Sequence, residues 1–339
     1  MIRLSAFFTP LLGLVATLAA QETVTTETPT DAAPAAPAPD YIRYVETDSG
    51  ASQLQTAVTR FQRGGQWVDL VSVVHLADAD YYEGLDQRLG DYDYVLYEMV
   101  GGAFDPDKVE GAPVDAGPSE AGGIRQIQGM ASSMLGLSFQ LDSIDYERPH
   151  FVHADVDWEL YQELMDAKNQ SFSTMLTRAM SLSEQGKLPG VPTEESGLQA
   201  MMNTVLTAVT TGDSSGLKRV LAPMLGDAEA MIASIEGDDG TVLVTERNKV
   251  VMEKLKNVLA KGGASHAIFY GSGHMPDLEE RLLDAGFQKT DTIWLDAWNI
   301  PAPGEEPEGE PAAPGENPLN SLLEALGENP ELLDALGGQ

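Results

Sequence analysis

Cysteine is absent from the 339 residues. With it go disulfides, thiolate metal sites and cysteine nucleophiles. Basic residues are scarce: 20 Lys and Arg stand against 53 Asp and Glu, a formal net charge of −33. So acidic a surface repels phosphate backbones and anionic headgroups, which argues against a nucleic-acid partner and favours solubility and cations. Long apolar runs are lacking beyond the first residues, so no later stretch can span a bilayer. There is no phosphate loop, dinucleotide glycine pattern or Gly-x-Ser-x-Gly elbow. Gly271-Ser272-Gly273 lacks the later glycine of a nucleotide fingerprint, and Ser272 adjoins His274 too closely in sequence to be its nucleophile.

What is present divides into five parts. Residues 1–20 read as a secretory signal, with Arg3, an apolar stretch from Ala6 to Leu18 and the small-residue exit Thr17-Leu18-Ala19-Ala20, so an extracytoplasmic protein is expected. An uncleaved anchor is the alternative. Residues 21–40 are Thr, Ala and Pro with few bulky side chains, a disordered linker. Residues 41–300 are expected to fold as one domain, residues 301–318 form a Pro- and Glu-rich linker, and 319–339 hold a short amphipathic repeat. That repeat, Leu322-Leu323-Glu324-Ala325-Leu326-Gly327 and Leu332-Leu333-Asp334-Ala335-Leu336-Gly337, is too short for stable isolated helices, and either docks on a partner or frays.

Within the domain, strands are expected at Ile42–Val45, Thr56–Phe61, Trp67–His75, Tyr94–Glu98, Phe151–Asp155, Ala267–Tyr270 and Thr292–Trp298. Gly64-Gly65 supplies a hairpin turn. Asp78 is placed to cap a helix through Tyr81, Leu85 and Leu89, and Val242–Leu259 and Leu278–Ala285 carry helical periodicity. Ile124–Leu137 also reads as helix, after a Gly-, Pro- and Asp-rich loop over residues 101–121. Between about 158 and 235, a Met-, Leu- and Ala-rich stretch broken by Gly186, Pro189-Gly190 and Gly212 reads as an insertion of about four helical segments. The expected class is α/β: a mixed central sheet flanked by helices, with that insertion.

Four strand ends carry ligand-type side chains, namely His75, Glu98, His153 with Asp155, and His274. Ends of neighbouring strands converge at the carboxyl edge of a sheet, where α/β folds bind their ligands. Two imidazoles and a carboxylate are the minimum protein set for a catalytic divalent ion with an open water position. Each histidine alone also suits a structural role. Glu98, in apolar surroundings, needs a partner or an ion unless it lies on the rim. Asp155 and Asp157 offer further carboxylates, with a helix cap before Trp158 the favoured use. His150 and His266 are expected at the surface.

Arg247 lies on the stripe of Leu243, Val244, Val250, Val251, Leu255, Val258 and Leu259, the core-facing side of its helix. Burying a guanidinium there demands either a structural carboxylate or an anion that develops during a reaction, and Glu246 and Asn248 flank it as orienting groups.

Val74-His75, Val95-Leu96-Tyr97-Glu98, Glu246-Arg247-Asn248 and Gly271-Ser272-Gly273-His274-Met275-Pro276 together resemble, in order, the landmarks of the TraB/GumN/PrgY family. That family is related to the TIKI metalloproteases and more distantly to ChaN-like and erythromycin-esterase-like proteins. The resemblance covers about residues 41–300, and its first Gly-x-x-His reads Ser72-Val73-Val74-His75 here. It implies a divalent-metal hydrolase using manganese or cobalt, with zinc a third option. Taken with the residues above, the expectation is a metal-dependent peptidase: His75, Glu98 and His274 hold the ion, with Glu98 as a third ligand or as base for its water. Arg247 then serves as the oxyanion donor, worth roughly 3–4 kcal/mol where well placed. The substrate is a peptide or small molecule. The alternative is a non-catalytic module that captures a peptide signal or a tetrapyrrole.

Overall fold

A computed structural model describes residues 41–103, 135–187, 214–236 and 240–305, with isolated helical positions at 197, 199, 203 and 204. The expected signal, both linkers, the tail repeat, nearly all of the expected helix at 124–137 and most of the 101–121 loop lie outside these residues.

The chain opens with β1 (Ile42–Glu46), β2 (Ser52–Arg63) and β3 (Gln66–Val73), an antiparallel meander whose second turn contains Gly64 at φ +62°. That left-handed conformation suits a glycine. Next come β4 (Leu76–Ala77), α1 (Ala79–Leu89) and β5 (Tyr94–Tyr97). After the undescribed segment follow β6 (Ser138–Phe139), α2 (Gln140–Ser143) and β7 (Phe151–His153). The expected insertion contributes α3 (Trp158–Ala167), α4 (Phe172–Glu184), α5 (Ser214–Gly226) and α6 (Ala228–Glu236). A π-turn at Val242–Glu246 runs into α7 (Arg247–Lys261), then β8 (Ser265–Gly271), a single 3₁₀ turn at Ser272–His274, α8 (Met275–Asp284) and β9 (Gln288–Ile300).

The result is α/β, as the sequence implies. Seven strands form one mixed sheet in the order β1-β2-β3-β8-β5-β7, with β9 added antiparallel along β2. The strands β3, β8, β5 and β7 run parallel, so their carboxyl ends share one edge. Side chains alternate across the sheet. Val71, Val73, Val95 and Phe269 face a core closed by Tyr82, Leu85 and Leu89 of α1 and by Leu217 and Ala222 of α5. Val68, Leu70, Leu96, Ile268 and Tyr270 face a second core closed by Val251, Leu255 and Val258 of α7 and by Leu278 and Leu282 of α8. Both faces being covered explains the near-continuous apolar character of β3 and β8. Among the described residues, no helix is long and apolar enough to cross a membrane.

Asp78 occupies the N-cap position of α1 but its side chain makes no capping bond. Its carboxylate instead accepts from Lys218 Nζ (2.8 Å) and the Asn299 amide (2.6 Å), tying α5 and β9 to the β4–α1 junction. A partly buried ammonium outbids a cap here, because charge-assisted bonds are the stronger ones.

Candidate functional site

Glu98 follows the last residue of β5 and extends its pairing by one bond, its N–H donating to Phe269 O at 3.2 Å. Because Tyr97 pairs with Phe269, Glu98 falls in line with Tyr270 and points to the α7–α8 face. Its Oε2 accepts the Gly271 N–H (2.8 Å) and its Oε1 accepts Arg247 Nη2 (2.7 Å). The side chain remains 12% exposed, at the lip of the edge.

Arg247 begins α7 and is 2% exposed. The wider π-turn before it, closed by Glu246 N–H to Thr241 O at 3.1 Å, sets the guanidinium against the sheet edge. Such turns recur at functional sites. All five N–H donors are engaged: Nε and Nη2 on Asp155 (2.9 and 2.6 Å), Nη2 also on Glu98, and Nη1 on Leu243 O (3.0 Å) and His274 Nε2 (3.2 Å). Burial opposes its charge, but Asp155 and then Glu98 outweigh that and hold its pKa well above the usual range. The same balance sets Glu98, whose burial raises the pKa while Arg247 foremost, then His274 and His75, pull it well below the ordinary carboxylate range. Glu98 is therefore ionised.

The expected oxyanion role for Arg247 does not follow from this geometry. With every donor committed, it orients Glu98 and His274 rather than presenting a free N–H to a substrate. Asp155, whose side chain is fully buried, is its bidentate partner, and Asp157 caps α3 by accepting the Leu160 N–H at 2.9 Å.

His274 closes the 3₁₀ turn and is 3% exposed. Asn248 Nδ2 donates to the His274 carbonyl (3.0 Å) and to Asp277 (2.7 Å), leaving Asn248 Oδ1 as the acceptor for His274 Nδ1 (2.7 Å). The proton thus sits on Nδ1. Nε2 keeps its electron pair, aimed at Arg247 and 3.5 Å from Glu98 Oε1. Gly273 lies under α6: a Cβ there would fall 2.3 Å from Ile232 Cδ1, so the tip of that side chain would have to shift. Pro276 follows in the first turn of α8, where its missing N–H is harmless.

His75 lies beyond the end of β3 and meets Gln140 on the opposite face, with Nδ1 2.8 Å from Gln140 Oε1. Gln140 Nε2 donates to Tyr146 (2.8 Å), a residue of the α1–α5 core. Electrostatically His75 still belongs to the cluster: burial lowers its pKa, Glu98 and Gln140 raise it in part, and Arg247 and His274 lower it further. The site therefore straddles the sheet edge, with His75 entering from one face and Glu98, Arg247 and His274 from the other.

The remaining candidates separate from this cluster. His153 Nε2 is bound to Met99 O at 2.7 Å. Glu246 pairs with Lys168 (2.9 Å) and Lys249 (2.8 Å) and does not reach Arg247's partners. His150 is partly buried against Leu89 O. His266, expected at the surface, is wholly buried in β8, its ring stacked on Tyr94 and its Nδ1 3.2 Å from Trp67 O. The parallel ladder beneath two helical layers leaves no outer face for it. Gln140 was not singled out from sequence, since a glutamine after Ser138-Phe139 carries no local signal.

Two features bear on whether these residues suit a divalent ion. His274 is locked with Nε2 as electron-pair donor, its other nitrogen held by a second residue as in metal sites. Asp155 neutralises Arg247 and leaves the Glu98 carboxylate in excess beside two imidazoles. Both favour a cation. As the side chains lie, no three His, Asp or Glu among the described residues come close enough to enclose one, and Arg247 draws Glu98 and His274 onto itself. The donor chemistry fits a divalent ion.

No protein-family model, no curated protein and no solved structure matches the chain. The likeness to the TraB/GumN/PrgY family accordingly rests on the four landmarks quoted above.

Proposed function

We propose that this chain is an extracytoplasmic hydrolase of peptide bonds, its reacting centre at the carboxyl edge of β3, β8 and β5. One observation carries the reading: Glu98, Arg247, Asp155 and His274 form a buried hydrogen-bonded network where parallel strands end, and within it Glu98 and Arg247 are strongly perturbed, as groups at functional sites often are. A divalent ion held by His75, Glu98 and His274, manganese or cobalt ahead of zinc, would lower the pKa of its water to about 7 and polarise a carbonyl. Glu98, kept ionised by Arg247, supplies charge and an acceptor oxygen and is a poor acid. Asn248 fixes the proton of His274 on Nδ1 and aims Nε2 inward. Arg247 orients both, and Asp155 holds Arg247. Residues 1–20 support export.

The deciding experiment is elemental analysis of the purified full chain together with an unbiased peptide-library digest, repeated on His274→Ala. The proposal expects stoichiometric transition metal and cleavage in the first protein and neither in the second. Unchanged cleavage by His274→Ala overturns it.

A second reading, a binding module for a peptide signal or tetrapyrrole, is favoured by the full engagement of the Arg247 donors, which leaves the network satisfied without a substrate. A Soret band in the absorbance spectrum of the purified protein would decide for the tetrapyrrole.

A further inference from the structure

We infer that Gln140 is a positioning residue that clamps His75 and fixes its ring proton on Nδ1, the counterpart on one face of the sheet of what Asn248 does for His274 on the other. Gln140 is 4% exposed and grips residue 75 twice: its backbone N–H donates to the His75 carbonyl (3.0 Å) and its Oε1 faces Nδ1 (2.8 Å). Its Nε2 donates to the Tyr146 hydroxyl (2.8 Å), which places the amide oxygen, the acceptor, against the ring. A carbonyl oxygen only accepts, hence Nδ1 of His75 carries the proton and Nε2 of the neutral ring carries the electron pair.

The small β4–β6 ladder acquires a purpose on this account. Leu76 pairs with Phe139 and Ala77 with Ser138, so the ladder starts one residue after His75 and ends one residue before Gln140. Two strands of two residues add little to a core, but they bind the His75 segment to the Gln140 segment across 65 positions of sequence. The Trp298 indole N–H donating to Leu76 O (2.7 Å) and the Tyr82 hydroxyl donating to Val74 O (2.6 Å) hold the same segment from either side. Both imidazoles thereby enter the edge with Nε2 as the electron-pair donor. That this serves an ion rests on the hydrolase proposed above; the state of the ring does not.

The test is long-range ¹H–¹⁵N NMR of the metal-free full chain labelled at histidine, above pH 6.5, the ordinary histidine value. The expected result is an Nδ1–H signature for both His75 and His274. Gln140→Leu should abolish it for His75 alone, with His274 reporting that the fold is intact. Gln140→Glu should restore it, since a carboxylate accepts the same proton and the Tyr146 hydroxyl can donate to it. An Nε2–H ring at His75 in the unaltered protein, or an unchanged ring in a folded Gln140→Leu, overturns the inference. Should Gln140→Leu lose the His274 signature too, the unaltered and Gln140→Glu spectra decide: Nδ1–H in both supports the inference, and Nε2–H in either sinks it. Manganese titration separates the two proposals. Weakening by about 10–100-fold in Gln140→Leu supports both; an unaltered protein with Nδ1–H at His75 that binds neither manganese nor cobalt overturns the hydrolase and leaves the clamp standing.

Discussion

Glu98 and Arg247 meet through a single 2.7 Å bond from Nη2 to Oε1, and that bond joins the end of a strand to the start of a helix 149 positions away. Asp155 takes the other side of the same guanidinium. Three charges therefore share a volume nearly closed to solvent, and each is tolerable only because of the others.

Removing the cation should expose that dependence. Arg247→Leu leaves two carboxylates without their partner, one of them fully buried, at a cost of roughly 3–5 kcal/mol. Adding Asp155→Leu should recover part of the loss, so that the two substitutions couple by about 0.5–3 kcal/mol in denaturant unfolding. Additive losses would mean that the pair contributes nothing as a pair.

Acidification should act in two windows. The pKa of His75 is lowered by burial in the folded protein. Below the ordinary 6.5 the unfolded chain therefore binds that proton first, and stability falls as pH drops from 6.5 toward the folded value. Glu98 is also lowered, so its contribution is whole above the ordinary 4.5 and is lost as pH falls through the depressed value. Stability measured against pH should lose its upper limb in His75→Gln and its lower limb in Glu98→Gln. An upper limb that survives in His75→Gln would assign that window to another group.

Much of the sheet was legible because it is simple physics. Apolar runs such as Val68–Val73 and Ala267–Tyr270, followed by glycine or helix-entry signals, mark parallel strands buried on both faces. The burial of Arg247 was readable from the helical spacing around it. What could not be read was pairing across long separations: Asp155 with Arg247, Gln140 with His75, and Lys218 with Asp78, which overrode an ordinary cap. The side of the edge that each candidate side chain comes from was hidden too, since His75 leaves its strand after Val73 and no periodicity governs it. His266 misled for a related reason. A polar residue at the start of a strand resembles a surface residue until the covering helix α7 is known.

His266 and His274 lie in one strand-and-turn unit and should behave oppositely. His266→Ala removes a buried ring stacked on Tyr94 and should destabilise the protein by about 2–4 kcal/mol, within the range for large-to-small core changes. It should leave metal content untouched, because its ring binds Trp67 O at the amino end of the strand. His274→Ala should lose metal content. Metal analysis and thermal unfolding on both variants check the contrast, and loss of metal in His266→Ala alone would relocate the site.

Asn248 offers the sharpest test of how the edge is organised. Its amide oxygen holds the His274 ring through Nδ1, and its amide nitrogen holds the His274 carbonyl and Asp277, which is itself gripped by Arg281 at 2.6 Å. Asn248→Asp keeps an acceptor for Nδ1 but loses the donor to the carbonyl and sets a second carboxylate beside Asp277. Asn248→Leu removes both functions. If the ring orientation is what matters for an ion, affinity for manganese should fall about 10–100-fold in the leucine variant. The aspartate variant should retain more of it, despite being the less stable of the two because like charges meet in a partly buried place. Isothermal titration with manganese and denaturant unfolding on the same samples separate the two effects. Equal affinities in all three proteins would mean that His274 needs no help from Asn248.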